Sequence, residues 1–115
     1  MRKKRIYISG AISGMRRHEY MWRFADMERV LIKRGHDVVN PTKLWPCKHS
    51  WVYPALVWLL GVKAAYRLVI RYDLFWLRRC DAIYMMWLSD RSRGARLERM
   101  KAAQWGKEIL NYENL

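Results

Sequence analysis

Apolar and polar positions alternate along this chain in two rhythms. Arg5-Ile6-Tyr7-Ile8-Ser9 is β-branched and aromatic and predicts a first strand. From about His18 to Lys33, Tyr20, Phe24, Met27 and Leu31 recur at i, i+4, i+7 and i+11, one face of a helix that Gly35 can stop. His36 to Asn40 predicts a short second strand ended by Pro41, with His36 a strand-start residue rather than a ligand. Leu44 to Gly61 is the least regular part: a loop anchored by Trp45, Pro46, Cys47, Trp51, Tyr53 and Pro54, with a short helix at Ala55 to Leu60. Val62 to Arg79 predicts a longer helix carrying Tyr66, Val69 and Trp76 on one face. Asp81 is a turn or cap residue before the third strand, Ala82 to Trp87. A third main helix begins near Ser92 and ends at Gly106, and Lys107 to Tyr112 is the last strand.

The order is β-α-β-α-β-α-β. Such alternation predicts an α/β domain, a parallel sheet of four to five strands with helices on both faces. No linker, repeat or low-complexity run divides residues 1–115, which form one domain long enough for a single core. In such sheets ligands bind at the carboxyl ends of the strands. Two features fall on that edge.

The first is Ser9-Gly10-Ala11-Ile12-Ser13-Gly14, two glycines and two serines between a strand and a helix. Exposed amides there can cradle a phosphate, or the segment can be a plain turn. It is neither the G-x-G-x-x-G fingerprint nor a Walker loop. The second is Asp90-Arg91-Ser92-Arg93-Gly94-Ala95-Arg96-Leu97-Glu98. Ser92 or Asp90 can cap the helix, Gly94 lets the backbone approach a ligand, and the first-turn amides favour an anion. Glu98 shares a small apolar stripe with Ala95, Ala102 and Trp105, where a carboxylate needs a partner or a task. Its structural reading is a cap partner or dipole counter-charge. Asp73 likewise shares the face of Tyr66 and Trp76, and its structural reading is an ion pair with Arg71, Arg78 or another basic residue.

Composition narrows the class. Twenty-three Lys+Arg against ten Asp+Glu give a net charge of +13, which favours an anionic partner: nucleotide, nucleic acid or acidic surface. The cations cluster at Arg2 to Arg5, Arg16-Arg17 and Arg91 to Arg99, either as a solvated face or as a functional patch. Seven Trp and seven Tyr suit aromatic-lined contacts with a ligand, a partner subunit or both. Two cysteines, Cys47 and Cys80, give no disulfide framework and fit a reducing cytoplasm. Cys47 and His49 are too few for a metal site, so no metal is expected. The N-terminus is not a signal peptide, and the apolar run Trp51 to Val62, broken by Pro54 and Gly61, is too short to span a bilayer.

Four segments resemble the nucleoside 2-deoxyribosyltransferase-like superfamily, which includes the deoxynucleoside-monophosphate N-glycosidases and many short phage and bacterial proteins. They are Ile6 to Gly14, Gly35 to Pro41, Tyr72 to Tyr84, and Ser92-Arg93-Gly94-Ala95-Arg96-Leu97-Glu98, and their order and spacing span nearly the whole chain. The resemblance implies a flavodoxin-like sheet and cleavage of an N-glycosidic bond without a cofactor. Residue by residue it implies Glu98 as nucleophile, Asp73 as the aspartate that holds the deoxyribose, and Tyr7 beside them. Ser9, Gly10, Ala11, Ile12, Ser13, Gly14, Ser92 and Gly94 become the substrate and phosphate cradle. A carboxylate below C1′ suits an oxocarbenium-like transition state, as in retaining glycosidases. The Trp45 to Ile70 segment is longer and more aromatic than in the monophosphate hydrolases.

The expected partner is thus a nucleoside or nucleotide, handled by an N-glycosidase or a deoxyribosyltransferase. Two other classes stand beside it: a non-catalytic nucleotide-sequestering module, and a basic nucleic-acid-binding protein. Paired carboxylates would repel an anionic ligand in a pure binder. Against the nucleic-acid-binding class, the chain shows no recognisable groove-reading motif. The apolar residues of Trp51 to Leu60 exceed what one inward helix face uses, so a homo-oligomer with that stretch at its interface is expected.

Overall fold

A computed structural model describes residues 3–12, 15–45 and 51–115. Arg2, Ser13, Gly14, Pro46, Cys47 and His49 lie outside the described residues. The strands are β1 (Arg5–Ser9), β2 (Asp37–Val39), β3 (Ala82–Met85) and β4 (Glu108–Leu110). The helices are α1 (Arg17–Lys33), α2 (Val52–Leu60), α3 (Val62–Arg78) and α4 (Arg93–Gln104). The sheet is four-stranded, in the order β2-β1-β3-β4, and every pairing is parallel. This is the flavodoxin-like arrangement, with β1 and β3 central.

Strand alternation assigns the two layers. Ile6 and Ile8 on β1 and Ala82 and Tyr84 on β3 pack with Phe24 and Leu31 of α1. Tyr7 and Ile83, one residue out of phase, pack on the opposite face with Leu77 of α3 and Ala102 of α4. β1 is buried from Ile6 through Ser9, so its last residue, a serine, lies inside the protein. That burial demands a partner for its hydroxyl.

Element boundaries differ from the sequence expectation, β2 and β4 being shorter than read and α2 and β3 differing more tellingly. α2 begins at Val52, not Ala55, because Pro54 is its third residue, where no intrahelical N–H bond is lost. β3 ends at Met85, not Trp87. Leu88 then takes a left-handed backbone, φ 67°, and Trp87 is turned out to 70% exposure. Gly61, φ 86°, separates α2 from α3 with a backbone that a side chain would oppose, and the two helices pack on each other. Asp81 is a turn residue as expected, its carboxylate accepting from the Arg5 amide at 2.9 Å. His36 accepts from the Lys4 amide through Nδ1 at 3.1 Å. Trp58, Leu59, Leu60 and Val62 around the α2–α3 junction are largely exposed. Among the described residues no helix is long and apolar enough to cross a membrane.

Leu31 is fully buried and lies away from any cavity, so Leu31→Ala should cost about 2–5 kcal/mol by denaturant unfolding.

Candidate active site

Three elements bring their polar residues to one point at the carboxyl edge of the sheet. β1 points Tyr7 and Ser9, two residues apart, to the face covered by α3 and α4. α4 buries Ala95, Glu98 and Ala102 along one stripe. The Tyr7 hydroxyl donates to Glu98 Oε2, and the Ser9 hydroxyl donates to Oε1 at 2.8 Å. Each carboxylate oxygen therefore has its own donor, while lone pairs remain for a further contact. α4 is started by Ser92, whose Oγ accepts from the Ala95 amide at 3.3 Å, fixing the helix that carries Glu98.

Asp73 enters from α3 and is also buried. Among the described residues it has no ion pair, so the structural reading with Arg71 or Arg78 is not realised. Arg78 instead stacks on Trp105, 5.6 Å from the ring centroid.

Burial raises both carboxyl groups. The Glu98 carboxyl is pushed up to about 7, burial outweighing the two hydroxyl donors that pull it down. That balance is consistent in size: hydrogen bonds to a charged group contribute about 1.5–3 kcal/mol each, and an ion taken out of water loses several. The Asp73 carboxyl is pushed up to about 8, by burial first and by the Glu98 charge second. Glu98 thus ionises first, and its charge helps hold the proton on Asp73. The hydroxyls, rather than the helix start, are what favour the ionised Glu98.

Both carboxyls line a cavity of about 330 Å³. Its walls are aromatic: Tyr20 and Phe24 of α1, Tyr53 of α2 and Tyr66 of α3. Arg17 is the one cation among the described lining residues. Tyr7, Gly10, Ile12, Ser92 and Gly94 line it as expected from the sequence. Gly94 leaves room for a neighbour: a Cβ there would stand 3.3 Å from the Tyr66 hydroxyl. Ser9 is a correction, because it is fully buried and bonded to Glu98 and does not line the cavity. Ala11 lines a neighbouring hollow instead. Placing Ser9 in the loop overlooks the strand alternation, which puts it on the same face as Tyr7. Arg17 and Tyr53 carry no sequence signal beyond a basic pair and an aromatic-rich loop. Among the described residues no cluster of His, Cys, Asp and Glu could hold a metal.

A family model described as a domain of unknown function, DUF4406, matches residues 4–111. The chain belongs to the DUF4406 family. Among curated proteins nothing matches this DUF4406 chain. Among solved structures it is similar to a 2-deoxyribosyltransferase from the psychrotolerant bacterium Bacillus psychrosaccharolyticus, described as a biocatalyst for nucleoside synthesis. The TM-score is 0.65 at 18% identity, over 93% of this chain and 70% of that one. The resemblance to the deoxyribosyltransferase-like superfamily therefore holds at the level of fold.

The raised pair sets a pH dependence of stability. Unfolded carboxyls titrate near 4, whereas the folded pair keeps its protons to about 7 and 8. The folded state binds more protons, so this contribution is complete below about pH 4 and is lost as pH rises through 7 to 8. Thermal melts should show Tm falling by about 5 °C or more between mildly acidic and mildly alkaline buffer. Asp73→Asn should flatten that slope; a variant with the wild-type slope would contradict the burial of this charge.

Proposed function

We propose that this protein breaks the C1′–N bond of a deoxynucleoside or deoxynucleoside 5′-monophosphate, with Glu98 as nucleophile. The observation that supports this most is the Glu98 carboxylate itself: buried, oriented through both oxygens by Tyr7 and Ser9, and facing an aromatic cavity beside a second carboxyl. A carboxylate used only for folding would not be kept in such a place, since an apolar side chain there would cost less.

The chemistry follows in order. The aromatic walls take the base, and the Asp73 carboxyl hydrogen-bonds the sugar. An ionised Glu98 oxygen attacks C1′, the C1′–N bond breaks, and its electron pair leaves with the base. The sugar is then held as an ester of Glu98, as in retaining glycosidases. Attack by water completes hydrolysis; attack by a second base completes transfer. Arg17, Gly10, Ile12 and Ser92 line this cavity, and their guanidinium, amides and hydroxyl would receive a 5′-phosphate.

A panel of deoxynucleosides and their monophosphates should yield free base by chromatography. Glu98→Ala should lose that activity by about 10³-fold or more while keeping its fold. Comparable turnover in this variant would refute the assignment, and tight binding with no base release would favour a sequestering module. Activity should rise through about pH 7 as the Glu98–Asp73 pair loses its first proton and fall above about 8 as it loses the second. These two limits belong to the pair rather than to either residue. Ser92→Ala should weaken monophosphates more than nucleosides.

Self-association belongs to the same proposal. Trp51, Trp58, Leu59 and Leu60 are 53–84% exposed, and large apolar patches on soluble proteins are normally covered. Sedimentation should show a homodimer or larger assembly, and charged replacements of Trp58 and Leu59 should dissociate it. A wild-type monomer at micromolar concentration would contradict this.

A further inference from the structure

The carboxyl edge of the sheet carries a second aromatic feature that the Glu98 cavity does not use. Ala11 lines a hollow of about 420 Å³, while its neighbours Gly10 and Ile12 line the carboxylate cavity. The backbone leaving β1 is therefore a wall shared by the two. Trp22, Trp87 and Tyr112 border this hollow and are 63, 70 and 72% exposed. Trp87 and Tyr112 also border a third hollow, which includes Arg96 and Arg99. The Arg23 guanidinium lies over the Trp87 ring, 6.0 Å from its centroid.

Folding alone gives these rings little reason to be here. Trp87 stands where the chain accepts a left-handed Leu88, a strained backbone for a branched side chain. Three large rings turned outward around one hollow expose apolar faces that could have been buried.

Charge identifies the occupant. Of the four ion pairs among the described residues, Lys3–Asp37 and Lys4–Glu108 sit at the amino ends of the strands. At the carboxyl edge the acids outside the cavity are Glu19, Asp26, Asp90 and Glu113, and Asp26 is taken up by Arg29 at 3.1 Å. Arg16, Arg91 and Arg93, at the starts of α1 and α4, have no ion pair among the described residues. The hollows themselves hold three further arginines: Arg23 in the first beside Asp26, and Arg96 and Arg99 in the third beside Asp90 and Glu113. Cations left unpaired among outward-facing rings suit a chain of phosphates with unpaired bases. A second copy docked on this particular edge would set arginine against arginine instead.

We propose that this edge binds single-stranded nucleic acid, with bases stacked on Trp22, Trp87 and Tyr112 and phosphates on the arginines. This surface is separate from the Glu98 chemistry and stands whether or not a glycosidic bond is broken.

Fluorescence anisotropy with a labelled oligothymidylate tests it on the full chain. Binding should weaken with salt, with a log–log slope of about 0.7 per phosphate contacted, and a duplex of the same length should bind more weakly. Trp87→Ala with Tyr112→Ala should weaken binding about tenfold or more, since both rings stack a base. Trp87→Phe should retain most of it. The exposed positions allow the fold to survive, which circular dichroism checks. Three outcomes would overturn the proposal: no binding, duplex bound as tightly as single strand, or loss on arginine replacement with none on removal of the rings. Base release from free mononucleotides should be unchanged in the ring variants, so failure here and failure of the glycosidase proposal are read separately.

Discussion

A buried carboxylate held by two hydroxyls is the constraint on which this structure turns. Glu98 is 6% exposed, on a helix face otherwise made of alanine. It is tolerable there because β1 delivers Tyr7 and Ser9 to its two oxygens. That requires β1 to run buried to its last residue, α4 to start at Ser92, and β3 to pair beside β1 so that α4 lies over both. The fold is arranged so that a strand end and a helix start meet over one side chain.

Asp73 makes the arrangement more costly and more useful. Burial first, and the Glu98 charge second, raise the proton affinity of Asp73, so the buried pair holds protons up to about neutrality. A pair that loses its two protons in separate steps can divide nucleophile and hydrogen-bond donor between them. The same burial that tunes them destabilises the folded state as pH rises, so stability and chemistry are linked through one pair.

Much of this was legible in the residues. Short β-branched and apolar runs placed β1 and β3, period-3.6 runs placed α1 and α3, and misplaced acids on apolar stripes singled out Glu98 and Asp73. What local pattern could not supply was pairing across the sheet. Ser9 looked like part of a loop because its partner lies 89 positions away. The end of β3 was overrun because Met86 and Trp87 are as apolar as the strand, and only the left-handed Leu88 shows where the chain turns out. Tyr53 reaches the cavity through a helix whose start Pro54 disguises.

The most direct measurement is intact-mass and peptide mapping of the protein quenched in acid during incubation with a deoxynucleoside monophosphate. The account predicts a deoxyribosyl-phosphate adduct on the peptide carrying Glu98, absent when Glu98 is Gln. Base release with no adduct there, or an adduct on another residue that persists in the Gln variant, would contradict it.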